Sequence, residues 1–345
     1  MSRVWTGGHS SPVLCAAVSS EAMVATGAEA GELTLWSPAG SPLSSLHLSA
    51  DVTGLCFSPA DPSLLSACHG RTVTLLDLRS LKTPLAELRD VAEDEINGVC
   101  VDESGRTLAA GDDTGAVTLV DLQQMKATGT LRTHTNICSS VAFRPRRPQS
   151  LVSAGLDMQV CLWTLPKPRP VWSVSLQDTQ QEHTGQVFNP PLAHCVCVSS
   201  CGDVCVCAAE DGGLHLLRAC ADGRLRERGM IPAHSQGASQ AHFISFLSHP
   251  YWLASGGNDG LVALWDLSRH PLVDHSKKKK KKKRKKRGQN PQDEEEVCSS
   301  ETRPRLCFQH TEKVNWVCPA VLEGKPSLLV TDQTSCPTVY SLEQL

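Results

Sequence analysis

The sequence predicts an all-β protein made of seven stacked repeats, and three observations lead there. One pattern recurs along the 345 residues, most clearly as LASGGNDGLVALWDL at 253–267: an apolar strand, a glycine-rich turn holding an aspartate, a second apolar strand, then Trp-Asp. The segments between turns alternate with a period of two and are rich in β-branched residues, and no long stripe of helical period intervenes. No unit of this size buries its own apolar face, so the copies must pack on one another. The residue closing the motif falls at Trp36, Leu76, Val120, Trp163, Leu217, Trp265 and Tyr340, in steps of 40, 44, 43, 54, 48 and 75. Four of these six steps lie near the period of about 40–45 residues expected of a four-stranded repeat.

The units read as follows. The first has strands VLCAAVS (13–19), MVATGA and ELTLW, ending at Trp36. The second opens with TGLCFSP (53–59) and closes with LLSACHGRTVTLLDLRS at 64–80. The third is preceded by Glu93, Asp94 and Glu95 and carries Asp112-Asp113 in its inner turn. The fourth has ICSSVAFRP (137–145), SLVSAG and QVCLW. A polar stretch at 177–191 lengthens the fifth, whose strands HCVCVSS and DVCVCAA meet at a Ser-Cys-Gly-Asp turn. The sixth has YWLASGG and LVALW, then a charged insertion at 270–303, then RPRLCFQ as its last strand. The seventh opens with NWVCPAV (315–321) and ends at Tyr340. The expectation is a single domain over 1–345, with the 270–303 insertion a disordered loop between the third and fourth strands of unit six.

Composition narrows the class. The apolar fraction of 40% suits many short strands with exposed edges or faces. No run of some 18 apolar residues predicts a membrane span, and MSRVWTGGHSS offers no secretory signal. The expected compartment is therefore the nucleus, the cytoplasm or both, with no secretion, and the sixteen cysteines are expected to be thiols rather than a disulfide framework. Cys195, Cys197, Cys201, Cys205 and Cys207, beside His194, invite a zinc reading. Their C-x-C spacing inside two period-2 strands fits small buried core residues better than the C-x₂₋₄-C knuckles of structural zinc.

The His or Gly-His start of each unit, the Gly-Asn-Asp-Gly turn at 257–260 and the Trp-Asp ending resemble WD40 repeats. That resemblance implies a seven-bladed β-propeller of four-stranded antiparallel blades, monomeric and without cofactor. It also implies that the N-terminal Arg3-Val4-Trp5 closes the ring as the outermost strand of the last blade, removing exposed sheet edges. His134, Ser153, Asp157 and Trp163 recur in register as His234, Ser255, Asp259 and Trp265. A hydrolase triad uses similar residue types, but a nucleophile site occurs once and needs an oxyanion hole. In WD40 proteins these four types form a hydrogen-bonded tetrad within a blade, and the resemblance assigns them that role. The aspartate position holds Ala30, Gly70, Thr114 and Thr334 in blades one, two, three and seven, which puts full tetrads there in question, and His194 with Asp211 is the expected partial one in blade five, where Cys207 replaces the serine. With no phosphate loop, metal knuckle or unrepeated acid–base constellation, a non-enzymatic scaffold is expected.

Three features point to partners. Leu76-Asp77-Leu78-Arg79 resembles the W-D-x-R box of WD40 substrate receptors that dock on the DDB1 adaptor of cullin-4 ubiquitin ligases. Here Leu76 stands for Trp and Gly70 for the usual acid, and the residues read equally as a surface Asp–Arg pair. A docking role assigns Asp77 and Arg79 to a bidentate, charge-assisted contact. The second feature is the basic run Lys277 to Arg287, which includes Lys283 and Arg284, followed by Asp293 to Glu296. It contributes +11 and −4 to a net charge of −3, leaving −10 on the rest of the chain. Such a run reads as an import signal, a non-specific contact to nucleic acid by phosphate neutralisation, or a solvated loop. The third is the acidic group at 93–95 and 112–113, which would share one face of the ring and suits a basic peptide, or is chance on an acidic domain.

Overall fold

The computed structural model describes residues 2–80, 83–177, 189–220, 222–270, 272 and 302–345. The basic run and all but the ends of the charged insertion lie outside the described residues, as does most of the polar stretch at 177–191. Seven antiparallel four-stranded sheets make up the fold, and the two helical pieces among the described residues are single 3₁₀ turns, Glu29–Gly31 and Leu78–Ser80.

Each sheet is one blade. Blade four shows the plan: an inner strand Cys138–Phe143, a second Ser150–Gly155, a third Gln159–Thr164 and an outer Trp172–Ser175. The inner strands of the other blades are Val13–Val18, Val52–Phe57, Ile96–Val101, Ala193–Val198, Ala238–Phe243 and Val314–Leu322. Second and third strands are buried on both faces, as in the small, apolar Val24–Ala28, because neighbouring blades cover both sides. Outer strands such as Lys126–Arg132 are mostly exposed and polar. The core is thus seven apolar clusters, one at each boundary between blades.

The ring closes through the N-terminus. Ser2–Val4 pairs antiparallel with Thr338–Ser341 as the fourth strand of blade seven, so no blade presents its third strand as an edge. Trp5 follows, buried at 2% exposure among Trp36, Val24, Leu322, Leu329 and Val339 from both sides of the joint. Gly40 makes room for it: at φ +88°, a Cβ there would lie 2.2 Å from Trp5 Nε1.

Every inner strand carries a bulge at the same place, skipping Leu14, Thr53, Asn97, Ser139, His194, Ser239 or Asn315. Four of these skipped residues stitch their blade to the next. Thr53 Oγ1 donates to Ile96 O at 2.5 Å, Ser139 Oγ to Ala193 O at 2.5 Å, Ser239 Oγ to Val314 O at 2.7 Å and Asn315 Nδ2 to Val13 O at 3.1 Å. Leu14 has no donor, and in its place Cys15 Sγ–H donates to Val52 O at 3.2 Å. Sequence reading misses this device, because a bulge register is a property of pairing rather than of residue type.

Candidate functional site

The recurring polar residues come together as local brackets. In blade four His134 Nδ1 lies 2.9 Å from Asp157 Oδ1 and Nε2 2.8 Å from Ser153 Oγ, while the Trp163 indole N–H donates to Ser153 Oγ at 2.8 Å. Blade six repeats this with His234, Asp259, Ser255 and Trp265 at 3.1, 2.9 and 3.0 Å. Asp157 and Asp259 also accept backbone N–H groups from Thr135 and Ser235, tying each turn to the loop entering its blade. Burial opposes a charge on His134, but Asp157 and Cys161 outweigh it and raise its pKa to about 9. For His234 burial outweighs Asp259 and the pKa is lowered; Ala263 stands opposite Ser255 where Cys161 stands opposite Ser153.

Other blades rebuild the bracket from residues that the linear register does not align. Blade one has a complete set despite Ala30: His9 and Trp36 both bond Thr26 Oγ1, at 2.6 and 2.7 Å, and the acid is Glu32, two residues on. In blade seven His310 joins Asp332 Oδ2 at 2.6 Å and the Tyr340 hydroxyl at 2.7 Å, so the acid lies two residues before Thr334. Blade two turns in two residues, Gly70 and Arg71, with no room for an acid; buried His69 bridges Ser49 and Thr74 instead. In blade three the buried Asp112 holds the N–H groups of Thr114 and Ala116.

Blade five corrects the expected pairing. His194 reaches Glu210 at 2.7 Å rather than Asp211, because the bulge turns its side chain toward the mouth of the ring. Asp211 instead contacts His215 Nε2 at 3.1 Å, and Glu227 contacts His215 Nδ1 at 2.9 Å. All three are almost fully buried. Burial opposes the imidazolium, yet the two carboxylates raise its pKa to about 9. His215 pairs with Cys207 across the strands, so the histidine stands directly opposite the place where blades four and six have serine. Cys195, Cys197, Cys205 and Cys207 are buried in the blade interfaces, and no group of three or more metal-ligating side chains occurs among the described residues.

Brackets that recur around the ring hold it together, and recognition is left to places where blades differ. Second-to-third-strand turns open on one face, called here the top, and third-to-fourth-strand loops on the other. Asp77 ends the third strand of blade two, Thr72–Asp77, and Arg79 sits in the following 3₁₀ turn on the bottom. Asp77 is 13% exposed and Arg79 72%. The guanidinium is held by Nε at 2.8 and 3.0 Å from the two carboxylate oxygens and by Nη2 at 2.5 Å. This bond depresses the Asp77 pKa. The pair therefore presents to solvent a guanidinium fixed by its own neighbouring carboxylate.

On the top, the acidic group differs in its membership from the sequence reading. Asp112 is buried in its turn, and Glu93 is paired with Arg132 at 2.5 Å. Asp51 joins instead, and with Asp113 and Asp94 it adds to burial in raising the pKa of Glu95. Counted over described loop residues, the top carries twelve carboxylates against three basic side chains, and the bottom eight against eleven. Through the middle runs a channel with a cavity of about 260 Å³, lined by residues including Val99, Cys100, Phe143, Gln240, His242 and Trp316.

A family model described as WD domain, G-beta repeat matches residues 40–77, 125–164 and 227–266. The chain carries WD40 repeats within a seven-bladed propeller. Each match ends with a blade's third strand and takes in the outer strand or its approach from the blade before. This one-strand offset between repeat and blade is what leaves Ser2–Val4 to complete blade seven. The WD40 propeller is similar to WD repeat-containing protein 53 homolog of Dictyostelium discoideum, 22% identical over 312 residues, covering 85% of this chain and 80% of that protein. Shorter similarities exist to Protein SLOW WALKER 1 of Arabidopsis thaliana, 32% identical over 34% of this chain and 22% of that one. Another is to Nuclear distribution protein PAC1 of Komagataella phaffii, 26% identical over 37% of this chain and 29% of that one. WD40 propellers are generally non-enzymatic interaction scaffolds, and no helix among the described residues is long and apolar enough to cross a membrane.

Proposed function

We propose that this propeller is a protein-interaction scaffold whose bottom face docks on the DDB1 adaptor of a cullin-4 ubiquitin ligase, making it a substrate receptor. The observation that carries the reading is the Asp77–Arg79 fork: among the third-strand ends that carry an aspartate, Asp77, Asp121 and Asp266, blade two alone follows it two residues on with an arginine. Leu76 is fully buried where the related box has Trp, so its side chain belongs to the core, while Arg79 faces out and the largely covered Asp77 holds it. An arginine held in place by its own carboxylate loses little freedom on binding an acidic or carbonyl-rich partner. Arg79→Glu is expected to reduce co-purification of the adaptor by about tenfold or more, with an unchanged unfolding curve. Undiminished recovery would refute the docking role.

The charge difference between the two faces favours a second reading, association with nucleic acid in the nucleus. The described residues that flank the basic insertion lie on the bottom face at blade six, where a cleft of about 300 Å³ is lined by Asp266, Arg269, His270, Arg303 and Arg305 among others. Lys277 to Arg287 would add to that field, neutralising phosphates without reading bases. Deleting 277–287 should flatten the salt dependence of nucleic-acid binding and lower nuclear retention. If neither changes, the insertion plays no part in either.

A further inference from the structure

The outer strands of blades four and five, Trp172–Ser175 and Leu225–Pro232, come together at the rim of the ring. Where they meet, the bottom loops of the two blades expose an aromatic ring among cations. Trp172 is 37% exposed and its neighbour Val171 42%, whereas Trp5, Trp36, Trp163 and Trp265 are at most 2% exposed. The Arg224 guanidinium lies over the Trp172 ring, 5.0 Å from its centroid, and so bridges the two blades. Over residues 164–175 and 222–229, five cations face one exposed carboxylate, Asp222; Glu227 is buried against His215. Lys167, Arg169 and Arg228 are exposed and have no ion-pair partner among the described residues. Such an excess runs against the −10 that the chain carries outside its basic run and the acids that follow it.

Both loops are held in place. Pro166, Pro168 and Pro170 fix φ around Lys167 and Arg169. The Lys167 N–H donates to Thr164 O at 3.1 Å, and the Val171 N–H to Leu162 O at 2.7 Å. In blade five the Asp222 carboxylate accepts the Arg224 N–H at 3.1 Å and the Arg226 guanidinium at 2.7 Å. Gly223, at φ +79°, packs on the other loop, since a Cβ there would lie 3.8 Å from Val171 Cγ1. Backbone fixed in this way loses little freedom when a partner binds.

Charge and shape choose the occupant. A cationic rim attracts an anionic partner, and tryptophan with arginine around an apolar spot is the composition of protein-interface anchors. Single-stranded nucleic acid stacks successive bases on successive rings. These two loops expose one ring, and Arg224 covers one of its faces. We propose that the bottom rim of blades four and five docks an acidic segment of a partner protein. That segment seats an apolar side chain on Val171 and Trp172 and its carboxylates on Lys167, Arg169, Arg224 and Arg228. Blade three separates this rim from the Asp77–Arg79 fork, so the two surfaces are distinct.

The test uses the full chain and a fluorescent peptide of alternating glutamate and leucine, with benzoylphenylalanine in place of one leucine. Anisotropy should show binding that weakens as salt is added. Trp172→Ala and Arg169→Glu should each weaken it about tenfold or more, with unchanged unfolding curves. Trp172→Phe should keep most of it, and Arg79→Glu, on blade two, should leave it within about twofold. Irradiation should link the peptide to segments holding Trp172 or Arg224. Crosslinks confined to Lys277–Arg287, or an affinity unchanged in Trp172→Ala, would overturn the proposal. So would an all-glutamate peptide that binds as tightly. An oligouridylate that binds more tightly than the peptide, and is lost in Trp172→Ala, would overturn it in favour of nucleic acid.

Discussion

Replacing His215 with leucine is expected to destabilise the propeller by about 3–5 kcal/mol, because it leaves two buried carboxylates facing each other without a cation. His215 is fully buried, with Asp211 at 3.1 Å and Glu227 at 2.9 Å on opposite sides of the ring. Glu227 Oε2 already lacks a hydrogen-bond partner, so the arrangement has no second donor in reserve. Its pH dependence has a definite sign. The folded pKa of about 9 lies above the 6.5 of a free histidine. The stabilisation is therefore complete below about pH 6.5 and is lost as pH rises through about 9, and a gap of that size corresponds to about 3 kcal/mol. Urea unfolding of wild type between about pH 6 and 10 should show that loss. The leucine variant should lack the share that His215 contributes and keep the share of His134, whose pKa is also raised to about 9. The double variant His215→Leu, Glu227→Leu should recover much of the loss. A variant within about 1 kcal/mol of wild type at neutral pH would mean that the histidine is neutral in the folded state.

Trp5→Ala is expected to cost about 3–5 kcal/mol, far more than anything done to the strand it anchors. The three residues of Ser2–Val4 are exposed, and Arg3 has a solvent-facing ion pair with Glu323 at 3.0 Å, so Arg3→Ala should cost under about 1 kcal/mol. Trp5 is different: its ring sits 5.5 Å from that of Trp36 in a cluster shared by blades seven and one. Its indole N–H is buried without a partner, so Trp5→Phe keeps most of the packing and removes an unsatisfied donor, and should cost much less than alanine. Deleting residues 1–6 removes strand and anchor together and leaves Thr338–Ser341 as an open edge. That protein should dimerise or aggregate in size-exclusion chromatography. If it stays monomeric with an unchanged midpoint, the joint does not limit the stability of the ring.

Much of this protein is legible from residue order alone, and the reason is physical. A strand shows its period of two, a turn shows its Gly, Asn or Asp, and seven copies at a regular step leave stacking as the way to cover their apolar faces. The Trp–Ser–His–Asp sets of blades four and six could be read directly, as could the closing role of the N-terminus once the family resemblance is granted. Tertiary structure decided what linear register does not carry. Glu32 serves blade one and Asp332 blade seven because a carboxylate reaches a histidine from either side of a turn, and fixed offsets from Trp36 or Tyr340 miss them. His194 belongs to Glu210 because a bulge re-aims it, and His215 has its charge because strand pairing brings Asp211 and Glu227 to its two nitrogens. The sequence by itself determined the repeat, its count and its all-β class, since those follow from local periodicity. Which side chains touch across a turn, a bulge or a blade boundary was decided by the tertiary structure, since those contacts depend on pairing register and ring closure.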